Sequence, residues 1–333
     1  MERQTIAIVG SETLAGREVR EVLREAKIEA RIELISGAAE PVSVIAEEGG
    51  EAVVISALES TVVADAGIVV LCGSAEASRK ALEQAGRRKI APALVDVSGA
   101  LEDEPSARLR APMVESAAPP GAPGIQVIAH AAAIALALLL RKLADVRVIE
   151  RAVVTIFEPA SERGQSGLSE LQQQTVNLFA FKALPKAVYD AQVAFNLLPA
   201  WGGDVTPSLA DVELRIEGHL ATLLGFGSPV PMPSLRLIQA PVFHAYSFSV
   251  WVRFASPANV ETLASELSST DIDVRNGDME PPSNAGVAGQ GGITVGAIAV
   301  DRNDAHACWF WAAADNLRIV AENCVEVIRE LVD

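Results

Sequence analysis

A chain of 333 residues, 50% hydrophobic and 21% charged, has the composition of a folded protein of about two domains and excludes a disordered or fibrous one. A formal charge of −16 speaks against nucleic acid or an anionic membrane as partner, since both require clustered cations. Three cysteines, Cys72, Cys308 and Cys324, with no CxxC pair and only four histidines, indicate neither a disulfide framework nor a metal site.

The opening MERQTIAIVG carries no charged-then-apolar leader pattern, so the expected compartment is the cytoplasm. Thr5 to Gly10 reads as a strand, and Gly16 to Arg24 as a helix with Val19, Val22 and Leu23 on one side. Strands follow at Arg31 to Ser36, Ala52 to Leu58, Gly67 to Cys72, Pro92 to Val97 and Ile125 to Ala129, with a helix at Ala75 to Ala85. This alternation predicts a mostly parallel sheet with helices on its faces, and the Pro- and Ala-rich stretch from Glu102 to Gly124 reads as an irregular connection. The apolar run from Val127 to Leu140 is shorter than the roughly 20 residues a bilayer span needs, and predicts a strand end followed by a core helix, Ala131 to Leu143.

Beyond it the pattern changes to longer strands at Val146 to Phe157, Ser234 to Ala240, His244 to Phe254, Gly292 to Val300 and Ala307 to Ala314. Helices are expected at Ser166 to Leu178, Ala210 to Leu224 and Asn259 to Leu267, giving a second, largely antiparallel layer. Asp315 to Leu331 opens with capping residues and runs helically.

Several separated motifs carry a resemblance. IAIVGSETLAGREV is similar to IVGATGAVGREV, LVDVSGALED to VIDxSxAFR, QVAFNLLPAWG to xxFNVIPxIG, and AAADNLRIVAENCVEVI to VADNLRKGAAxNAVQI. Together these ordered matches resemble the aspartate-semialdehyde dehydrogenase family. The resemblance implies an α/β fold: a Rossmann-like dinucleotide-binding domain at residues 1–130, completed by a C-terminal helix at 315–333, and an α+β dimerisation domain at 131–314.

The same resemblance breaks at the active-site positions. The segment VIAHAAAIALALLL is similar to the family's GIIANPNCSTIQL, which puts the nucleophilic cysteine at Ala131 and the asparagine before it at His130. A methyl group forms no thioacyl intermediate. PVFHAYSFS stands for PVxRxHSEA, so Tyr246 takes the place of the general-base histidine and Phe248 that of the glutamate. A phenol of pKa near ~10 is a poor base at neutral pH. His244, two residues away on the same predicted strand, is expected to face the same side roughly 6 to 7 Å along, either as an ordinary polar residue or as a replacement base.

The arginine that pairs with the substrate carboxylate becomes Gln239, which makes no charge-assisted fork. The second anion-holding arginine becomes Glu102, a reversal of charge, and the orienting glutamine becomes Glu158 in TIFEPASERG, where Glu162 and Arg163 replace small residues. A basic residue before the long helix survives as Arg215, with Asp211 or Glu213 nearby. The former substrate pocket is therefore read as His130, Glu158, Arg215, Gln239 and Tyr246, with Glu150, Arg151, Glu162 and Arg163 as further lining.

The candidate cofactor contacts are Gly10, Thr13, Leu14, Ala15 and Gly16. Thr13 stands where a glycine is usual and resists positive φ, Glu12 repels phosphate, and ISGAAEP lacks an arginine for a 2′-phosphate. NAD therefore stands ahead of NADP, and the alternative is that Gly10 and Gly16 serve only close strand-to-helix packing. Cys72 ends a central strand, where a buried structural thiol is expected ahead of a reactive one. Cys308 and Cys324 read as core, Trp309 and Trp311 as packing or a dimer interface on one strand face, and His219 and His306 as surface or helix residues. The expected protein is a catalytically degenerate paralogue: a homodimer, with a possible protein partner, acting as a binding or regulatory protein. The alternative is an oxidoreductase with a different substrate that uses Tyr246, His130 or Glu158.

Overall fold

The computed structural model describes residues 4–38, 44–48, 51–58, 63, 65–87, 91–115, 124–227 and 229–332. Their contacts divide the chain into two units, residues 1–129 with 320–333, and residues 130–319.

In the first unit, strands β1 (Thr5–Val9) and β5 (Ile68–Leu71) are apolar almost throughout, as expected of strands covered on both faces. They lie inside a six-stranded, all-parallel sheet with β2 (Arg31–Ile35), β6 (Ala93–Asp96), β7 (Ala107–Arg110) and β8 (Ile125–Ile128), in the order β2-β1-β5-β6-β8-β7. Helix α1 (Leu14–Glu25) buries Val19, Val22 and Leu23, the face its spacing predicts. Helix α2 (Ala75–Ala85) is capped by the Ser74 hydroxyl, which accepts from Ala77 N–H.

Two expectations for this unit are corrected. The run expected as a sheet strand at Ala52 to Leu58 is β4 (Glu51–Ile55), which pairs antiparallel with β3 (Val44–Glu48) in a separate ribbon. Its only bridge to the parallel sheet among the described residues is Ile35 to Ser56. The stretch Glu102 to Gly124, expected to be irregular, contains the edge strand β7; its residues 116–123 lie outside the described residues, as do 39–41 of ISGAAEP. Strand β7 reads ARLR, and a short edge strand carrying arginines shows no apolar run. Arg110 in it is buried and held by Glu115 at 2.9 Å, Gln126 at 3.1 Å and Glu330 at 2.7 Å.

In the second unit, helix α3 (Ala131–Val146) is buried along most of its length. It packs against strand β9 (Ile149–Glu158), helix α5 (Leu209–Leu224) and helix α6 (Val260–Leu267). A 3-10 turn (Ala160–Arg163) and helix α4 (Gly164–Phe179) follow β9. The sheet has the order β10-β9-β11-β14-β13-β12, with β10 (Ser234–Gln239), β11 (Tyr246–Phe254), β12 (Ile272–Arg275), β13 (Ile293–Val300) and β14 (Ala307–Ala314). Its three central pairs are antiparallel, as expected, and its two edge pairs are parallel: β10 with β9, and β12, which the sequence does not announce, with β13. The last helix, α7 (Asn316–Val332), begins in this unit.

Strand β11 starts at Tyr246, because Ala245 has φ +69° and breaks the extended backbone. His244 therefore sits in the turn before the strand, and the expected shared face with Tyr246 does not exist. Cys72, Cys308 and Cys324 are all buried. Among the described residues no helix is long and apolar enough to cross a membrane.

Candidate functional site

Three strand ends meet in the second unit. Gln239 at the end of β10 pairs in register with Glu158 at the end of β9, and Ser247 pairs with Phe157, so Tyr246 begins β11 beside Glu158. His130 precedes α3 and caps it: its Nδ1 accepts from Ala132 N–H at 3.2 Å. Ala131, the first helical residue, presents a buried methyl group. Glu162 and Arg163 come from the 3-10 turn, and Asn316 opens α7.

The histidine is fixed on every side. Its backbone N–H donates to His219 Nδ1 at 2.9 Å, its Nε2 lies 3.7 Å from Glu162 Oε2, and its ring centroid is 6.0 Å from that of Tyr246. Burial, then the Arg215 charge and His219, hold its pKa well below the usual imidazole value. A neutral ring whose Nδ1 accepts carries its proton on Nε2, so no lone pair remains to take a proton from a substrate.

Gln239 is fully engaged within the protein. Its Oε1 accepts from Trp201 Nε1 at 3.1 Å, and its Nε2 donates to the Glu158 and Ala240 carbonyls at 3.0 and 3.1 Å. The Arg163 guanidinium stacks over the Trp201 ring at 4.8 Å. Asn316 ties the turn to the strand: Oδ1 accepts from Ser161 Oγ at 3.0 Å and Ala245 N–H at 3.1 Å, and Nδ2 donates to Glu162 Oε1 at 2.9 Å. Burial raises the Glu162 pKa, opposed by the Asn316 bond and the Arg215 charge.

Within this cluster, Glu158 Oε2 and the Tyr246 hydroxyl make no hydrogen bond of ordinary geometry, although the two side chains lie close enough to interact. Burial, then the neighbouring Glu162 charge, pushes the Glu158 carboxyl well above its ordinary range. The same two causes push the Tyr246 phenol well above its own. Tyr246 also stacks on Phe248, with ring centroids 5.7 Å apart. In both groups burial favours the protonated form, which weakens each as a base.

Not every expected residue gathers here. Glu150 and Arg151 lie exposed at the far end of β9, where Glu150 pairs with Arg253. Asp211 forms a capping box with Ser208, and Glu213 accepts from Leu237 N–H. Arg215 lies within α5 rather than in a loop before it, and its charge acts on His130, Glu162 and Tyr246. His219 is corrected from surface or helix residue to buried helix residue; the spacing Ile216, His219, Leu220, Leu223 marks the inner face of α5. Trp201, His219 and Asn316 are the residues the sequence reading missed as parts of this network.

The other expected site lies in the first unit. Gly10, at φ +85°, and Ser11 both donate backbone N–H to the Ile35 carbonyl, at 2.9 and 3.1 Å. Thr13 is extended at φ −69°, so the expected conflict with positive φ does not arise; its hydroxyl accepts from Gly16 N–H at 3.0 Å and caps α1. A Cβ on Gly16 would sit 2.0 Å from the Gly10 carbonyl oxygen, which explains that glycine by packing. Leu14 and Ala15 are the first two helical residues, whose N–H groups have no intrahelical acceptor. Glu12 Oε1 accepts from Gly37 N–H at 2.8 Å and from Ser36 Oγ at 3.3 Å, and its buried Oε2 has no partner. Cys72 is held in its thiol form by burial, with the nearby Cys324 acting in the same sense. Glu102 is half-buried beside the loop that Asp96 organises through Ser98, Gly99 and Leu101.

Residues 140–319 match the family described as semialdehyde dehydrogenase, dimerisation domain. The chain is 25% identical over its whole length to the aspartate-semialdehyde dehydrogenase of Rickettsia conorii, covering 98% of that protein. It is 29% identical to that of Rickettsia bellii over 60% of each chain, so that alignment spans under two thirds of the relative's length. A USG-1 protein homolog of Pseudomonas aeruginosa is also 29% identical, over 76% of this chain and 74% of that one. Among solved structures, a probable aspartate-semialdehyde dehydrogenase from Pseudomonas aeruginosa superposes with a TM-score of 0.84 at 25% identity, covering 100% of this chain and 99% of that one.

Proposed function

This chain belongs to the semialdehyde dehydrogenase family, and from that membership we propose that it is a catalytically silent member whose function lies in its dimer and its binding contacts. The observation that carries this reading is the methyl group of Ala131 at the head of α3, where the family resemblance puts the cysteine nucleophile. Three features of the surrounding geometry support it. His130 has its accepting nitrogen engaged in the helix cap. Tyr246 is a buried phenol with raised proton affinity. Gln239, at the position of the substrate-binding arginine, has its amide oxygen and nitrogen bonded within the protein. The expected outcome is no phosphate-dependent reduction of NAD or NADP with aspartate semialdehyde. The double variant Ala131→Cys, Tyr246→His remains inactive, because it restores neither anion site; measurable turnover by that variant overturns the account of the pocket.

The dimer is assigned to the open face of the second sheet. The registers place Val153, Trp251 and Trp309 in one row and Thr155, Ser249 and Trp311 in the next. Trp309 is 45% exposed and Val153 39%. Both Trp251 and Trp309 donate their indole N–H to Asp301 Oδ2, at 2.8 and 3.0 Å, which holds the rings in place. Rigid aromatics held on an exposed sheet face suit a self-complementary contact. Trp309→Glu is expected to give a monomer in light-scattering chromatography; an unchanged mass contradicts the assignment.

A second reading, an oxidoreductase acting on a different substrate, is favoured by the unpartnered oxygen of Glu158 beside the unpartnered phenol of Tyr246. Turnover of any aldehyde or alcohol that Glu158→Gln abolishes supports it, and an inactive panel removes it.

A further inference from the structure

The end of helix α4 and the chain that follows it hold aromatic rings in solvent. Phe179 is 74% exposed, Phe181 99% and Phe195 63%, and Val176, one helical turn before Phe179, is exposed as well. Phe179 and Phe195 meet edge to face, with ring centroids 5.8 Å apart. A single exposed apolar side chain is ordinary, whereas a contiguous aromatic group marks a contact surface.

Two of the three rings also sit on unfavourable backbone. Phe181 has φ +52° and Phe195 φ +61°, in the left-handed region where a bulky residue is an outlier. Neither turn is loose. The buried Gln174 ties them together: its Oε1 accepts from the N–H groups of Val193 and Ala194 at 2.8 and 3.1 Å, and its Nε2 donates to the carbonyls of Pro185 and Ala191 at 2.7 and 2.9 Å. Asn177 and Asn196 add side-chain bonds to the carbonyls of Ala183 and Gln192, at 2.7 and 3.0 Å. A scaffold that fixes strained backbone while holding its rings in water is organised for contact with another surface.

The place of this arm in the fold identifies that surface. Leu198 exchanges backbone hydrogen bonds with Gln239, at 3.0 and 2.9 Å, so Leu197 and Ile238, the preceding residues on each strand segment, project to the opposite side. Ile238 is in register with Phe157, whose ring centroid lies 5.8 Å from that of Trp311. Through the exposed Leu197, the aromatic group continues the open sheet face that carries Trp309. The formal charge of −16 disfavours an anionic lipid surface as the occupant.

We propose that Phe179, Phe181 and Phe195, on the turns held by Gln174, seat against a second copy of this chain and lock the dimer. The inference rests on the dimer reading above and adds to it a contact outside the sheet. Under two-fold symmetry each protomer gives its arm to the other, so the contact occurs twice in one dimer.

The test is subunit exchange: two pools of full-length protein, labelled at the N-terminus with donor and acceptor dyes, are mixed and energy transfer is followed. The variant is Phe181→Asn with Phe195→Asn. Asparagine adopts the left-handed backbone more readily than phenylalanine, so the change relieves the protomer while it deletes the rings. The expected result is exchange at least about tenfold faster than in the wild type, because lost apolar contact acts chiefly on dissociation. Phe179→Ser, on regular helix, is expected to act in the same direction and decides the question if the double variant loses its fold. Exchange at the wild-type rate overturns the proposal. So does the absence of energy transfer between wild-type pools, whatever lipid or other protein the rings then bind. Trp309→Glu separates the two claims. If it abolishes energy transfer while the arm variants exchange at the wild-type rate, the arm proposal falls and the sheet contact stands. Faster exchange by the arm variants, with Trp309→Glu at the wild-type rate, supports the arm and overturns the sheet contact.

Discussion

Two helix N-termini, one in each unit, are capped in different ways by different side chains. At α1, Thr13 caps the helix and leaves the first-turn amides of Leu14 and Ala15 uncapped, with a fixed carboxylate and one spare oxygen close by. At α3, His130 caps the helix, Ala131 contributes only a methyl group, and the polar neighbours bond to one another through Gln239, Trp201, Asn316 and Glu162. At α1 one buried carboxylate oxygen has no partner; at α3 Gln239, Trp201, Asn316 and Glu162 bond within the protein. Gln239 and Trp201 satisfy each other's buried polar groups within the protein.

The largest effect that separates the two termini is expected from Gln239→Arg. A guanidinium cannot accept from Trp201 Nε1, and it would be buried beside Arg163, so unfolding in urea should show a loss of about 3 kcal/mol. Wild-type stability for this variant, with gain of affinity for a small dicarboxylate, would mean that an anion site persists at β10.

Glu158→Gln comes next. Burial raises the native Glu158 pKa above its unfolded value of about 4.5, so its contribution is full below that value and is lost as pH rises toward the native pKa. Above about pH 4.5 the variant should therefore hold its melting temperature better than the wild type as pH rises. Parallel profiles would contradict the raised Glu158 pKa. His130→Ala should cost about 1 kcal/mol at pH 7 through loss of the cap. That difference should shrink as pH falls below about 6.5, since a histidine with a depressed native pKa stabilises the fold only above its unfolded value. The smallest effect belongs to Tyr246→Phe: the hydroxyl makes no hydrogen bond of ordinary geometry, so removing it should change stability by less than about 0.5 kcal/mol. A loss well above that would reveal a bond from the phenol.

Much of this was legible in the sequence because it depends on periodicity. The alternating strands of the first unit, the buried face of α1 and the position of α3 follow from apolar spacing that leaves few alternatives. The edge strand at Ala107–Arg110 and strand β12 were not legible, because short polar strands owe their pairing to neighbours distant in the chain. The absence of a nucleophile at 131 could be read directly, since one residue type decides it. The bonding of Gln239 to Trp201 and of His130 to His219 could not, because each joins residues far apart in sequence. The effect of Thr13 was misread for a local reason: the turn takes its positive φ at Gly10 and leaves Thr13 extended.

The most direct test of silence at α3 is the formation of reduced nicotinamide by purified wild-type protein given aspartate semialdehyde, phosphate and either NAD or NADP. The account predicts no signal above the buffer blank at any protein concentration. A rate that scales with protein and requires phosphate would contradict it, and would place a working nucleophile somewhere other than position 131.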